Sequence, residues 1–408
     1  MFFHRSACWR AFWVLRWLPM RILVTGGAGF IGSNYARLVL AEHPEDTVVV
    51  FDKLTYAGRR ETLADVERHP RFAFIQGDVC DAAAVDAAVK DADAVVHFAA
   101  ETHVDRSLQD AAAFLRTNIE GTWTLLDACR RHGKRFHHVS TDEVYGTLRD
   151  GDPPFSEMTP YDPRSPYSAS KAASDHLVRA AFHSFGVAAT LSHCSNNYGP
   201  FCFPEKFIPL AITRLIQGGK VPVYGDGMNV RDWIYVEDHC RGVDAALRYG
   251  RPGETYDLGG RSERANIEVV LCLLAEFGVG IEKIAFVRDR AGHDRRYAID
   301  PAKAQRELGW APRVPFLHGL RKTVAWYRAH EAWWRPLLKD VPADPPTVAV
   351  ASTAPEPVPT PAAASVVPPV PAVPTTPVPP PIPPAVPSAP RPPQVPPSGL
   401  RLGDLSQP

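Results

Sequence analysis

The sequence predicts an α/β fold: a Rossmann-like doubly wound parallel sheet, a smaller C-terminal α/β region and a disordered proline-rich tail. Three observations carry this. Apolar runs of strand length alternate with alanine-rich helical stretches through the first half of the chain, the pattern of parallel β–α–β units. The first run ends in a glycine-rich turn that opens a helix. From Val341 onward the composition breaks, and the tail holds 24 of the 41 prolines.

Each element has its own signal. RILVT (21–25) is a short apolar run followed by glycines and reads as a buried strand. A helix is expected over 31–40, and strands over 47–51, 72–75, 94–97, 136–140 and 188–192. Alanine-rich stretches at 82–89 and 114–131 supply helices between them. After about Asn196 strands shorten and loops gain Pro and Gly. This later region should cover the crevice beyond the carboxyl ends of the strands.

Composition narrows the function classes. The 408 residues carry 45 basic and 45 acidic side chains, so no global field draws the chain to nucleic acid or membrane. The seven cysteines form no C-x-x-C pair. No metal site or disulfide framework is expected, and a reducing cytoplasm fits. Residues 1–19 are aromatic and basic, too short in their apolar run to span a bilayer and without a signal-peptide pattern. They read as an interfacial amphipathic segment or, more simply, as an upstream extension of a chain starting at Met20. The tail cannot bury enough surface to offset chain entropy, so polyproline-rich disorder is expected. It reads as a passive spacer, or as a ligand for a proline-binding domain.

Gly26-Gly27-Ala28-Gly29-Phe30-Ile31-Gly32 joins the first strand to the first helix. Glycines allow a tight turn and a close approach to pyrophosphate, and the helix N-terminus presents N–H groups to it. Asp52 ends the second strand, where a carboxylate meets ribose hydroxyls and repels a 2′-phosphate. NAD is therefore expected over NADP, with Lys53 nearby as the one opposing feature. Asp78 could contact adenine or simply cap a helix. The small residues of Phe98-Ala99-Ala100 would let a cofactor lie against the backbone.

Tyr167-Ser168-Ala169-Ser170-Lys171 places a phenol and an ammonium on one helix face. A lysine beside a phenol favours the phenolate, which can remove an alcohol proton as hydride leaves. Thr141-Asp142-Glu143 follows the fifth strand, and its two carboxylates can divide acid and base work.

The segments ILVTGGAGFIGS, DKLTYAG, GDVCD, AAETHVDRS, STDEVYG, SPYSASKAASDHLVRA, CSNNYGP, FPEKFIPL, VPVYGDG, RDWIYVEDH, GETYDLGG, GHDRRYAID and ELGW extend the pattern. Through them Met20 to about Trp334 resembles the extended short-chain dehydrogenase/reductases, and within these the dTDP-glucose 4,6-dehydratase family. The resemblance implies NAD as cofactor and a redox-neutral dehydration of dTDP-glucose to a 4-keto-6-deoxy sugar. Tyr167 would deprotonate the C4 hydroxyl, Glu143 remove the C5 proton and Asp142 protonate the leaving C6 hydroxyl, with hydride passing from C4 to C6 through the cofactor.

Carried over position by position, cofactor contacts are expected from Gly26, Gly29, Phe30, Ile31, Gly32, Asp52, Lys53, Leu54, Thr55, Asp78, Val79, Phe98, Ala99, Ala100, Glu101, Thr102, Thr117, Tyr167, Lys171 and Asn197. Substrate contacts are expected from Thr102, Thr141, Asn196, Lys206, Phe207, Pro222, Val223, Tyr224, Arg231, Asn266, His293, Asp294, Arg295, Arg296 and Tyr297. Arginines there suit a diphosphate. The chain divides into residues 1–19, a mainly cofactor-binding domain (20–195), a mainly nucleotide-sugar-binding region (196–338) and the tail (339–408). A homodimer through the helices at 114–131 and 168–185 is implied. Thr102 stands where a serine is common, and Ala291 where a proline is usual. Two other readings compete: a nucleotide-sugar 4-epimerase on the same fold, and a non-catalytic NAD-binding scaffold acting through its tail.

Overall fold

The computed structural model describes residues 19–289 and 293–341. Two compact units divide the chain, Met1–Ala351 and Ser352–Pro408, and every described residue belongs to the first. The expectations for most of residues 1–19, for Ala291 and for nearly all of the tail lie outside the described residues.

Seven parallel strands form the central sheet: β1 (Arg21–Thr25), β2 (Thr47–Asp52), β3 (Phe72–Gln76), β4 (Ala94–His97), β5 (Arg135–Val139), β6 (Ala189–Cys194) and, from the later part of the chain, β10 (Thr255–Leu258). Between β6 and β10 run β7 (Asn196–Tyr198), β8 (Val221–Tyr224) and β9 (Val230–Tyr235), with β11 (Glu263–Ala265) and β12 (Ile284–Val287) after them. The central order is β10-β6-β5-β4-β1-β2-β3. The order reverses between β1 and β4, the switch point where such sheets bind dinucleotides. The strand at Thr255–Leu258 brings the later half of the chain back into the sheet.

Side-chain alternation explains both faces. Ile22, Val24, Val48, Val50 and Val96 pack with Tyr35 and Val39 of helix α1 (Phe30–Glu42). Leu23, Val49, Val95, Phe136 and Leu191 pack with Val85 and Val89 of helix α2 (Ala82–Lys90), and with Leu125 and Leu126. Each such side chain contributes about 1.5–3 kcal/mol on burial. A third cluster, including Ile212, Val223, Trp233, Leu273 and Trp334, holds the smaller region, whose sheets are β11-β9-β7 and β12-β8.

The helix expected over 114–131 is interrupted. Ala111–Phe114 and Thr122–His132 are α-helical, while Leu115–Gly121 between them is wound as a wider π-helical stretch. Among the described residues no helix is long and apolar enough to cross a membrane.

Candidate active site

A cleft of about 540 Å³ opens at the carboxyl ends of β1, β4, β5 and β6 and is closed on the far side by the smaller region. Its floor is the glycine turn. Gly26 has φ +69°, and a Cβ there would lie 2.5 Å from the Ala99 amide nitrogen. A Cβ on Gly32 would lie 2.5 Å from the Gly26 carbonyl oxygen. No side chain caps the first turn of α1. A cradle that side chains would fill, below an uncapped helix N-terminus, fits a pyrophosphate.

Asp52 is buried at the end of β2 and accepts hydrogen bonds from the amides of Ala28 (2.9 Å) and Leu54 (2.8 Å). Burial raises its pKa, and those two amides oppose the rise. The carboxylate thus braces the turn as well as lining the cleft. Lys53 pairs with Asp78 at 2.7 Å, which offsets a charge that could welcome a 2′-phosphate. Thr117 lies on the π-helical stretch and lines the cleft. Next to it Asn118 is buried, accepting from the Glu101 amide (2.9 Å) and donating to the Glu101 carbonyl (3.0 Å) and to Ser170 (2.8 Å).

The reactive cluster sits where β5 ends and the Pro166–Phe185 helix begins. A reciprocal Ser165/Ser168 capping box starts that helix with Pro166 in its first turn. Tyr167 is buried, and the Thr141 hydroxyl beside its phenol lowers the phenol pKa. That hydroxyl also accepts from the Glu143 amide at 3.3 Å and lies 3.4 Å from Asp142 Oδ1. Asp142 is buried, and its Oδ2 has no hydrogen-bond partner among the described residues. Burial, then Glu143 and Asp232, push its pKa well above the carboxylate range.

Burial outweighs the lowering of the Tyr167 pKa expected from Lys171. Burial holds the phenol well above its ordinary value, Glu143, Cys194 and Asp142 push the same way, and the Thr141 hydroxyl works against them. Lys171 directs its ammonium elsewhere, to the Val139 carbonyl (2.9 Å) and His138 Nε2 (3.2 Å). Burial lowers the lysine itself to about 8.

Across the cleft Arg231 is buried, donates to the Asp294 carbonyl at 2.9 Å and stands 4.4 Å over the Tyr297 ring. Asn196, Asn197, Lys206, Phe207, Pro222, Tyr224, Asn266, His293, Asp294 and Tyr297 share that wall. Asn196 Oδ1 is buried with no hydrogen-bond partner among the described residues. Lys206 donates to the Thr102 carbonyl at 3.3 Å, and His293 pairs with Asp289 at 2.7 Å.

Four expected residues do not line the cleft. Val223 alternates away from Pro222 and Tyr224 along β8 and packs into the core. Leu54, at φ +61°, packs against the core beside α1 and braces Asp52 through its backbone amide. Arg296 turns to Glu263 at 2.6 Å, and Arg295 to Asp226 at 3.4 Å. Every other expected residue borders the cleft. Residue-level reading missed Ser140, Cys194 and Ser195 there. Their position at or beyond the carboxyl ends of β5 and β6 was the available signal. Arg164, paired with Asp162 at 2.9 Å, carried no signal.

Fold and site define a dinucleotide-binding enzyme of the Tyr–Lys type with an added carboxylate pair. The GDP-mannose 4,6 dehydratase family matches residues 23–323. The chain is 54% identical over 320 residues to the dTDP-glucose 4,6-dehydratase of Mycobacterium tuberculosis (strain H37Rv), covering 78% of this chain and 96% of that protein. It is 54% identical over 326 residues to that of Mycolicibacterium smegmatis, covering 79% and 98%. Among solved structures, DesIV, the dTDP-glucose 4,6-dehydratase of Streptomyces venezuelae with NAD and TYD bound, superposes with TM-score 0.76 at 49% identity, covering 78% of this chain and all of that one. The chain belongs to the dTDP-glucose 4,6-dehydratase family.

Proposed function

We propose that this chain dehydrates dTDP-glucose to dTDP-4-keto-6-deoxyglucose, with the residues of the cleft in the roles that follow. The observation that carries this reading is Asp142: a buried carboxyl whose pKa burial raises well above the carboxylate range, beside Glu143 and one hydroxyl away from Tyr167. A 4-epimerase has no need of such a donor.

Bound NAD would supply the acceptor and donor for the hydrogen that moves from C4 to C6, and a cationic ring that favours ionisation of Tyr167. Gly26, Gly29, Gly32 and Asp52 would hold it, with residues 20–195 mainly serving the cofactor and 196–338 mainly the nucleotide sugar. Arg231 suits the diphosphate through charge-assisted hydrogen bonds. Tyr167 takes the proton of the C4 hydroxyl. The ketone acidifies C5–H, Glu143 removes that proton, and it returns to C5 once C6 is reduced. Asp142 gives its proton to the C6 hydroxyl, which leaves as water.

The proton balance has a consequence. One turnover leaves Tyr167 with one proton more and Asp142 with one fewer. Thr141 contacts both groups, so it joins the donor of the resetting proton to its acceptor.

A homodimer is supported by an exposed apolar patch: Leu115 (50% exposed), Trp123 (38%) and Phe185 (53%), with the last two rings 6.2 Å apart. Free cysteines suit a cytoplasmic enzyme. A proline-binding partner for the tail rests on its composition alone.

The test is a panel of dTDP-, UDP-, GDP- and CDP-glucose followed for the 4-keto product. The dTDP sugar should be consumed fastest. Formation of dTDP-galactose without a 4-keto sugar would establish the epimerase instead.

A further inference from the structure

Behind the catalytic lysine lies a chain of buried ionisable groups for which the reaction steps above have no use. His138 of β5 presents Nε2 to two neighbours at once, Lys171 Nζ at 3.2 Å and Asp175 Oδ1 at 3.3 Å. Asp175 is one helical turn beyond Lys171, fully buried. Its Oδ2 accepts from Ser140 (3.0 Å) and Tyr161 (3.0 Å) and faces His193 Nε2 of β6 at 3.1 Å. The other nitrogen of His193 faces Asp257 of β10 at 2.9 Å, with the Tyr145 hydroxyl at 2.9 Å from the same nitrogen. Arg179 reaches Tyr161 from the helix at 3.0 Å, and Ser174 reaches His138 at 3.2 Å. The Cys194 thiol and the His97 ring also act on Lys171.

The charges in this chain can be assigned. Burial works against ionising Asp175, but the neighbouring His138 and His193 rings hold its carboxyl well below the usual range, so it is an anion. Burial and the Lys171 charge lower His138 to about 4, so it is neutral. Burial opposes the charge on His193, but its two carboxylates raise it to about 9. An unpaired ammonium in a dry interior is costly, and among the described residues Lys171 touches no carboxylate directly. Asp175, one ring away, is the anion that opposes its desolvation.

We propose that Asp175 is a positioning residue for the dehydration: its charge, on the far side of the His138 ring, keeps Lys171 an ammonium at the working pH, while Ser140, Tyr161 and His193 fix the carboxylate for that task. The proposal rests on the Tyr167/Lys171 chemistry above, but its test does not require turnover.

The test is an NMR titration of isotope-labelled lysines in the NAD-loaded protein, with the Lys171 signal assigned by its loss in Lys171→Met. In the native protein Lys171 should titrate near the value of about 8 that its burial implies. In Asp175→Asn it should titrate lower by about one pH unit or more, and in Asp175→Glu close to the native value. The alkaline limb of first-turnover C4 oxidation should move to lower pH in Asp175→Asn and return in Asp175→Glu. An unmoved Lys171 midpoint in folded Asp175→Asn overturns the proposal. Should Asp175→Asn not fold, Asp175→Glu decides: a midpoint at or above native supports the proposal, and one below it overturns it. If dTDP-glucose is not turned over by the native protein, the dehydratase reading fails while the lysine titration still decides this one.

Discussion

Lys171 Nζ donates to the Val139 carbonyl oxygen over 2.9 Å, pinning the lysine to the end of β5 at the entrance to the Thr141-Asp142-Glu143 turn. The positive charge therefore has a fixed position relative to the acid pair as well as to Tyr167. Lys171→Met should leave the fold intact, since it exchanges a buried ammonium for an apolar chain of similar length, although the Val139 carbonyl loses a donor. C4 oxidation should fall by about 10²- to 10⁴-fold, read as the first-turnover rate of nicotinamide reduction. A rate within about threefold of native would contradict a catalytic role for the lysine.

Asp142 should trade stability for activity. Its pKa is raised in the folded protein, first by burial and then by Glu143. The raised group is neutral in the fold but ionised in the unfolded chain at neutral pH, so it disfavours folding increasingly as pH rises above the unfolded value toward the folded one. Asp142→Asn removes that dependence. Its melting temperature should exceed the native one at neutral pH, and the gap should close near pH 4. Dehydration should fall by about 10²-fold or more while C4 oxidation survives, so reduced nicotinamide should accumulate on the enzyme. Equal melting temperatures at all pH values would refute the buried-acid assignment.

His193 gives the opposite slope. Its pKa is raised to about 9 by the carboxylates Asp175 and Asp257, against the effect of burial. Its stabilisation is fully present below the unfolded value near about 6.5 and is lost as pH rises through about 9. His193→Gln, which keeps hydrogen-bonding capacity without the charge, should be less stable by on the order of 1–3 kcal/mol near neutral pH. The difference should shrink above about pH 9, as followed by denaturant unfolding across the range.

Gly26→Ala tests the cradle. Its φ of +69° and the 2.5 Å approach to the Ala99 amide leave no space for a methyl group. The left-handed conformation alone costs about 1–2 kcal/mol, and relieving the contact must shift the turn. NAD affinity by calorimetry should fall about tenfold or more. Unchanged affinity would mean that this turn does not hold the cofactor.

Much of this was legible in the sequence because it is contiguous. The glycine turn, Tyr167/Lys171 and Asp142-Glu143 each fit within a few residues and sit at strand ends or on one helix face. The apolar runs of β1, β2 and β4 are buried on both sides and read as strands without help. The strand at Thr255–Leu258 was not legible, since TYDL carries a buried Asp257 that finds its partners in His193 and Tyr145, distant in sequence. Nor was the group around Asp175. It draws on β5, β6, β10 and the Pro166–Phe185 helix, and a lone histidine in a strand is more often a satisfied core residue than a functional one. The HDRRY stretch shows the reverse failure: two arginines that suit a phosphate by charge are turned to Glu263 and Asp226.

The most direct test places deuterium on C4 of dTDP-glucose and locates it in the product. The cycle assigned to Tyr167, Asp142 and Glu143 predicts that the label reappears on the C6 methyl of dTDP-4-keto-6-deoxyglucose, within the same sugar molecule. Label retained on C4 of dTDP-galactose, or lost to solvent, would contradict the account.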